Sequence, residues 1–206
     1  MAEEENSNKR IKIILASSSP RRKLILQKLK IDFDVIKPSP IKEVTYKNPE
    51  KTVITNSNFK AQFAFNRAII NNLNLKGTII AGFDTIIWMR GKYYGKPSNN
   101  FLAESYLMDF SGKSHLVLTG VTIIESSTSK KVQGFEKTIV KFRKLNNNFI
   151  RKYLKVENVL DKAGAYDIYG YGSILIEKIK GCFYNVAGLP VSKFLKLLNK
   201  LGYDIL

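Results

Sequence analysis

The stretch "IKIILASSSPRRKLILQKL", residues 11–29, most constrains the fold, because an apolar run passes into a helical pattern after a short polar break. "IKIILA" is rich in β-branched residues and predicts a buried strand. Ser19 can cap a helix whose first residue is Pro20, where the missing N–H costs nothing. The apolar face of this helix then comprises Leu24, Ile25, Leu26 and Leu29. A strand that leads directly into a helix is typical of an α/β protein.

The rest of the chain continues this alternation of strands and helices. A helix is predicted over 52–72, with apolar positions that include Ile54, Phe59, Phe63 and Ile69. Further helices are predicted over 101–110, 146–157 and 191–201, and strands over 77–89, 115–126, 130–142 and 173–181. A turn and a returning strand fit 90–97, and a loop fits 185–190. Because some strands are joined by hairpins and others by helices, we predict an α/β fold with a mixed twisted sheet flanked by helices.

Length and composition favour one globular domain. With 206 residues, 44% of them apolar, the chain can bury a substantial core, and we assign residues 11–206 to a single domain after a flexible tail, residues 1–10. Cys182 is the only cysteine, which favours a reducing compartment. The acidic N-terminus is unlike a targeting segment, and no apolar run approaches the roughly 18 residues of a membrane span. We expect a cytoplasmic protein with no membrane partner.

The formal net charge of +17 invites two hypotheses, a nucleic-acid partner or a phosphate-bearing ligand. The lysines are scattered along the chain, and no stretch matches the signatures of common nucleic-acid-binding modules. Lysine, asparagine and isoleucine are all abundant, which a coding bias would also produce. Nucleic-acid binding is therefore the weaker of the two hypotheses.

The junction between the first strand and the first helix is suited to an anion. Backbone N–H groups at a helix N-terminus point outward, and together with the helix dipole they favour negative charge. Arg21 and Arg22 add forked donors that match phosphate oxygens. The alternative is an ordinary capped helix with two solvated arginines.

Acidic residues strengthen the phosphate hypothesis. Asp84 interrupts the apolar strand "TIIAGFDTIIW", where an unpaired carboxylate would cost several kcal/mol. Glu43 lies in a polar loop, while Lys60 and Lys96 offer further cations. Two carboxylates with several cations can hold a hard divalent ion such as Mg²⁺ against a polyphosphate. Considered singly, Glu43 is better explained as a solvated loop charge and Lys60 as a charge on a solvated helix face.

The sequence has few residues suited to other kinds of catalytic or metal site. His115 is the only histidine, so a histidine-rich metal site is excluded, and we expect it to make a structural hydrogen bond. Cys182 has no partner for redox chemistry and fits a packed small residue.

Motifs along most of the chain resemble one known family. "LASSSPRR" at 15–22 resembles the signature of the Maf (septum formation inhibitor-like) nucleotide pyrophosphatases. Glu43, Lys60 in "FKAQFA", "GFDTIIW" and the Lys96 of "YGKP" fall where that family has a loop glutamate, a helical lysine, an "ADT" strand and a "GKP" lysine. "SGKSHLVLTGV", "DKAGAYDIYGYG" and "NVAGLP" resemble the remaining signatures. The motifs occur in the family's order over residues 11–201.

The resemblance implies a hydrolase that converts nucleoside triphosphates to monophosphates and pyrophosphate with a divalent metal (Mg²⁺, Mn²⁺ or Co²⁺), on a two-lobed fold with a central cleft similar to the inosine triphosphate pyrophosphatases. Asp84 matches the residue usually assigned as the proton acceptor, and we assign it as the base or as the group that orients a metal-held water. Which carboxylate abstracts the proton stays open at this point. We assign Glu43 as the second carboxylate of the metal and Arg22, Lys60 and Lys96 as phosphate cations. Ser17, Ser19 and Lys162 lie inside the matched motifs and are assigned to substrate binding.

The resemblance links Arg21, Thr85 and Tyr169 to selection of the base. Members that prefer dTTP and UTP have arginine, threonine and glutamine there, whereas this chain has "DIYG" in place of the usual "GIQG". Tyrosine offers one hydroxyl and a ring face instead of an amide. We therefore expect pyrimidine triphosphates to be the preferred substrates, with broader selectivity for the base.

Alternatives from other functional classes stay open at this point. A non-enzymatic regulator of cell division or a nucleic-acid-associated protein would need the basic surface without the carboxylates. A house-cleaning enzyme for purine analogues would keep the carboxylates and change only the base pocket. Family members are often dimers, so a homodimer is possible.

Overall fold

A computed structural model describes residues 11–39 and 41–205, and the predicted tail at 1–10 lies outside them. The strands are β1 (Lys12–Ala16), β2 (Asp32–Val35), β3 (Thr78–Met89), β4 (Lys92–Tyr94), β5 (Ser114–Glu125), β6 (Lys131–Phe142) and β7 (Ile176–Lys180). The α-helices are α1 (Pro20–Lys28), α2 (Pro49–Ile70), α3 (Asn100–Phe110), α4 (Asn147–Val156), α5 (Phe183–Val186) and α6 (Val191–Asn199). None of these helices is long and apolar enough to cross a lipid bilayer.

The strands form one mixed sheet, as the alternation of elements predicts. The order is β2-β1-β3-β5-β6-β7, and β4 pairs with the end of β3. Strand β1 is parallel to β2 and β3, while the remaining pairs are antiparallel. The predicted α/β fold with a mixed sheet is therefore confirmed.

Asparagine side chains begin three of the helices. Asn48, Asn99 and Asn146 occupy the N-cap positions of α2, α3 and α4, and each side chain accepts hydrogen bonds from first-turn backbone N–H groups. Such caps satisfy donors that have no partner within the helix. At least these asparagines therefore have a structural role beyond any coding bias.

Some predicted elements differ in detail from the structure. In α1, Ile25 and Leu26 are buried, but Leu24 and Leu29 are 42% and 37% exposed, so the predicted apolar face was too wide. The predicted strand over 173–181 begins only at Ile176, because a 3-10 helix occupies Gly170–Leu175. The edge strand β2 was not predicted, and its exposed positions are occupied by aspartates.

Helix α2 lies unusually close to the sheet, which corrects its predicted apolar face. A Cβ atom at Gly82 would stand 2.3 Å from the carbonyl oxygen of Ser57, and one at Gly120 would stand 2.1 Å from that of Val53. Because the backbones approach so closely, small side chains cover the contact. The buried residues of α2 are Thr52, Val53, Asn56, Ser57, Ala61, Ala64 and Ala68, whereas Phe59 and Ile69 are 38% and 51% exposed.

The long strand β3 runs through two hydrophobic cores. Its first half, including Phe83, packs with β1, α1 and α6, while its second half, including Ile87, packs with α3 and α4. Asp84 and Thr85 lie between these halves. The two lobes thus meet at the middle of β3, which places these polar residues at the bottom of the space between them.

Candidate active site

A cleft of about 930 Å³ lies between the two lobes. The walls are formed by the end of β1, the N-terminus of α1, the middle of β3 and one face of α2, together with the segments 38–39, 41–45, 161–168 and 186–188. All but one of the residues singled out from the sequence line it: Ser17, Ser19, Arg21, Arg22, Glu43, Lys60, Asp84, Thr85, Lys96 and Lys162. The exception is Tyr169.

One wall carries two carboxylates joined by a lysine. Asp84 is only 4% exposed, and its Oδ1 accepts a hydrogen bond of 2.5 Å from Lys60 Nζ. The same ammonium lies 2.7 Å from Glu43 Oε1. The ion pair offsets the cost of burying Asp84 inside an apolar strand. This group carries one net negative charge, which suits a second cation.

Asn56 holds this wall in place and was missed in the sequence. Its Nδ2 donates to Asp84 Oδ2 at 3.2 Å and to the Val44 carbonyl at 3.0 Å, and its Oδ1 accepts from the Val44 N–H at 3.0 Å. The loop that carries Glu43 is thereby tied to α2. Asn56 precedes Lys60 by four residues, and this spacing, which places both side chains on one helix face, could have identified it.

The opposite wall is built around Arg22, which is 8% exposed. Nε donates to the Gly188 carbonyl at 2.7 Å, Nη1 to Ser17 Oγ at 2.9 Å and Nη2 to Thr85 Oγ1 at 3.0 Å. Burial lowers the pKa of Arg22 to about 10, so the guanidinium stays protonated at neutral pH. A guanidinium has five N–H groups, and two of those of Arg22 make no hydrogen bond within the described residues.

The N-terminus of α1 lies beside Arg22. Ser19 occupies the predicted N-cap position, but its side chain makes no capping hydrogen bond. Ser17 Oγ instead accepts from the Ser19 N–H at 3.1 Å. The first-turn N–H groups of α1 lack intrahelical partners and, with the helix dipole, favour an anion in the cleft.

Three further cationic side chains line the rim of the cleft, and they differ in their ion pairs and hydrogen bonds. Lys96 is exposed and has no ion pair or hydrogen bond within the described residues. Lys162 lies 2.9 Å from Asp161 and 3.8 Å from Glu157. Arg21 Nη1 donates to Asp167 Oδ2 at 3.2 Å, across the two sides of the cleft. Lys96 is therefore the rim cation most available to a ligand.

Tyr169 lies outside the cleft lining. Its ring packs edge-on against Phe183 with centroids 5.5 Å apart and contacts the core that contains Ile168. Its backbone N–H donates to Asp167 Oδ1 at 3.1 Å. Burial raises the pKa of the Tyr169 hydroxyl, so the phenol is neutral. Its predicted contact with a base remains a prediction.

His115 has the structural role expected of it. It is 2% exposed, and its Nε2 lies 2.9 Å from the hydroxyl of Tyr166. Burial lowers the pKa of His115 to about 3, so the imidazole is neutral and packs among Phe110 and Phe142. Cys182 is a free, partly buried cysteine.

Glu43 and Asp84 supply the hard oxygen ligands that Mg²⁺ prefers. Among the described residues, no group of three or more histidine, cysteine, aspartate or glutamate side chains could hold a metal ion. A divalent ion held here would take its remaining ligands from water and phosphate oxygens, which is usual for Mg²⁺. The donor set therefore fits an ion that binds together with a polyphosphate.

The fold and the cleft together define a two-lobed α/β protein whose cleft is lined by a buried arginine and by two carboxylates joined through a lysine. The chain belongs to the Maf family, since residues 12–201 match the family described as Maf-like protein.

Several relatives are similar over nearly their whole length. A dTTP/UTP pyrophosphatase of Caldicellulosiruptor saccharolyticus is 41% identical over 197 residues, covering 95% of this chain and 97% of the relative. A dTTP/UTP pyrophosphatase of Pyrococcus furiosus is 43% identical over 197 residues, covering 94% and 97%. A third, from Thermosipho melanesiensis, is 43% identical over 186 residues, covering 90% and 96%.

Proposed function

We propose that this chain is a nucleoside triphosphate pyrophosphatase that hydrolyses (d)NTPs to (d)NMPs and pyrophosphate and so cleanses the nucleotide pool. The observation that carries the proposal is the opposition of Arg22 to the Asp84–Lys60–Glu43 group across one cleft. Membership of the Maf family and the names of the similar relatives support it.

The reaction is the displacement of pyrophosphate by water. The water oxygen attacks the α-phosphorus, the bond from that phosphorus to the bridging oxygen breaks, and pyrophosphate leaves with the electron pair. Asp84 is fixed by Asn56 and Lys60, and it orients the water and accepts its proton. Catalysis of phosphoryl transfer depends mainly on positioning of the reactants and neutralisation of charge, and the charged side chains of this cleft are suited to both.

The cations of the cleft bind the triphosphate. Arg22 presents its two remaining N–H groups to phosphate oxygens from a fixed position, and the N-terminus of α1 adds backbone donors. Lys60 and Lys96 neutralise the charge that builds up on the leaving pyrophosphate. Ser17, Ser19 and Lys162 contribute further polar contacts around the phosphates.

Glu43 and Asp84 would hold the divalent ion that the family resemblance implies. When bound, such an ion polarises phosphate oxygens and lowers the pKa of a coordinated water. Lys60 Nζ contacts both carboxylates, so an ion held by Glu43 and Asp84 would compete with this ammonium for their oxygens.

Pyrimidine triphosphates, dTTP and UTP in particular, are the proposed substrates. Arg21 and Thr85 line the cleft as the resemblance requires. The resemblance links a glutamine to base selection, but this chain has Tyr169 at that position. Because Tyr169 does not line the cleft, the side chain at 169 does not help to select the base here, so we expect at least one other triphosphate to be hydrolysed within about two orders of magnitude of UTP.

The test is release of pyrophosphate from a panel of normal and modified nucleoside triphosphates with Mg²⁺, Mn²⁺ or Co²⁺. We expect metal-dependent turnover that a chelator abolishes. In H₂¹⁸O the label should appear in the monophosphate, because attack occurs at the α-phosphorus. Label in the pyrophosphate, or release of orthophosphate, would contradict the proposed reaction.

A further inference from the structure

A buried chain of hydrogen bonds runs from Arg22 away from the cleft. Arg22 Nη2 donates to Thr85 Oγ1 at 3.0 Å, and Thr85 Oγ1 lies 3.0 Å from Thr119 Oγ1. Thr119 Oγ1 in turn donates to the backbone carbonyl of Asn185 at 3.1 Å. Thr119 is fully buried and lines no part of the cleft. Nothing in the proposed reaction yet uses this residue.

The direction of each bond in this chain can be assigned. A carbonyl oxygen only accepts, so the single proton of Thr119 is committed to Asn185. Thr119 Oγ1 must then accept from Thr85, whose own oxygen accepts from Arg22. The order of donation is therefore Arg22 to Thr85 to Thr119 to Asn185. Since its proton is used, Thr85 offers a ligand only a lone pair.

The far end of the chain is fixed to the sheet. Asn185 is fully buried, and its Nδ2 donates to the Val117 carbonyl and to Thr138 Oγ1, both at 3.0 Å. Three residues later the Gly188 carbonyl accepts from Arg22 Nε at 2.7 Å. One anchored segment, from Asn185 in α5 to Gly188 just after it, therefore holds Arg22 twice, directly through Gly188 and indirectly through Thr119.

We infer that Thr119 is a positioning residue for Arg22. It fixes the rotation of the Thr85 hydroxyl, and through it the plane of the guanidinium, so that the two remaining N–H groups of Arg22 face the phosphates. Without the Thr119 hydroxyl, the Thr85 proton would be free to point into the cleft, while the Asn185 carbonyl would keep only the N–H of Gly188, 3.0 Å away, as its donor. The inference rests on the proposed function, since it assumes that Arg22 binds phosphate.

The experiment measures binding of inorganic tripolyphosphate by calorimetry, which does not depend on turnover. Thr119→Val removes the hydroxyl at nearly constant volume and should weaken affinity about fivefold to tenfold, the equivalent of one hydrogen bond. Thr119→Ser keeps the hydroxyl and should stay within about twofold of the parent. In an Arg22→Lys background, Thr119→Val should cost less than about twofold, because lysine has no planar fork to orient.

Thr122→Val is the matched control. Thr122 is also fully buried on β5 and hydrogen-bonds to Ser57 and Gln133, away from Arg22. It should lower the melting temperature to a similar extent as Thr119→Val, yet leave tripolyphosphate affinity within about twofold of the parent. A purely structural role for Thr119 would make the two variants alike in both measurements.

Each outcome decides the inference. If Thr119→Val lowered tripolyphosphate affinity equally in the parent and in the Arg22→Lys background, the inference would be overturned. It would also be overturned if the parent protein did not bind tripolyphosphate. If the valine variant fails to fold, Thr119→Cys carries the same cycle, because a thiol is a weak donor and should give an intermediate loss. Binding with the expected coupling but no hydrolysis would leave the inference standing and contradict the proposed function instead.

Discussion

The two walls of the cleft are built in opposite ways. On the carboxylate wall, Lys60 bridges a buried Asp84 and a largely exposed Glu43, whose side chain is 57% exposed. On the arginine wall, Arg22 is buried and makes hydrogen bonds to three neighbours. The first wall is held by the ion pairs of Lys60 together with the hydrogen bonds of Asn56, and its Glu43 carboxylate is largely exposed. The second is held by three directional hydrogen bonds from a buried guanidinium.

This difference indicates a division of tasks. In the proposed function, the carboxylate wall would take up a metal ion and a water beside an ammonium, which favours groups that can rearrange at low cost. The proposed phosphate contacts of the arginine wall would gain from a fixed geometry, because pre-organised donors need no reorganisation during the reaction. Variants on the first wall should therefore affect chemistry, and variants on the second should also affect stability.

The largest effect is expected from Asp84→Asn. The amide keeps the shape of the side chain but cannot take a proton from water, so kcat should fall by at least about 10²-fold. The variant should still unfold cooperatively, because Lys60 keeps Glu43 as a partner. Steady-state kinetics and a melting curve on the same preparation check both points.

Asp109→Asn is the control for Asp84. Asp109 accepts from Lys92 and Tyr94, and its side chain is 42% exposed, outside the cleft lining. Its replacement should leave kcat within about twofold of the parent. An Asp84→Asn variant with activity close to that of the parent would remove Asp84 from the reaction.

Arg22→Ala tests the rigid wall. Loss of a charge-assisted contact should lower kcat/KM roughly 10- to 150-fold, which corresponds to about 1.5–3 kcal/mol of lost transition-state stabilisation. Arg22→Lys should recover only part of this, because an ammonium cannot form the planar fork. Unlike Asp84→Asn, both variants leave buried acceptors unpaired and should lower the melting temperature, by about 2–4 °C for each kcal/mol of stability lost in a chain of this size.

Arg151→Ala provides the comparison for this variant, since Arg151 pairs with Glu104 on an exposed surface. It should change neither the melting temperature nor the rate appreciably. If Arg22→Ala turned over triphosphate as fast as the parent, the arginine would not be a phosphate ligand.

How far the sequence predicts this site depends on the range of the interactions. Asp84 stands out because a carboxylate in an apolar strand needs a partner, a local signal. The buried face of α2 could not be predicted from the sequence of α2 alone. Gly82 on β3 and Gly120 on β5 let the helix approach the sheet so closely that only small side chains fit at the contact. Thr119 gave no signal either, since threonine is ordinary in a strand and its role depends on a loop 66 residues away in sequence.

Lys60→Met tests the adjustable wall in the absence of nucleotide. The Lys60 ammonium lies 2.5 Å from Asp84 and 2.7 Å from Glu43, so a divalent cation must displace it or share its ligands. Removal of that charge should raise the affinity of the free protein for Mn²⁺ by about tenfold or more, as measured by electron paramagnetic resonance. This gain should appear even though the loss of a phosphate cation slows turnover.

Lys96→Met removes the same charge from the same cleft without a carboxylate contact, and it should raise Mn²⁺ affinity by less than about threefold. Equal gains in the two variants would mean that only the overall field of the cleft matters. The bridge between Glu43 and Asp84 would then have no special effect on metal binding.

The smallest effect is expected from Tyr169→Gln, at the outer edge of the arginine wall. The resemblance predicts that a glutamine here narrows selectivity toward UTP and dTTP, but the Tyr169 ring packs on Phe183 and does not line the cleft. From the geometry we expect kcat/KM ratios across the triphosphate panel to change by less than about threefold, with a small loss of stability from the ring contact. Phe183→Leu, which removes the same ring contact without an amide, is the control for that loss. A tenfold or larger shift toward UTP and dTTP in Tyr169→Gln alone would show instead that residue 169 reaches the base when substrate is bound.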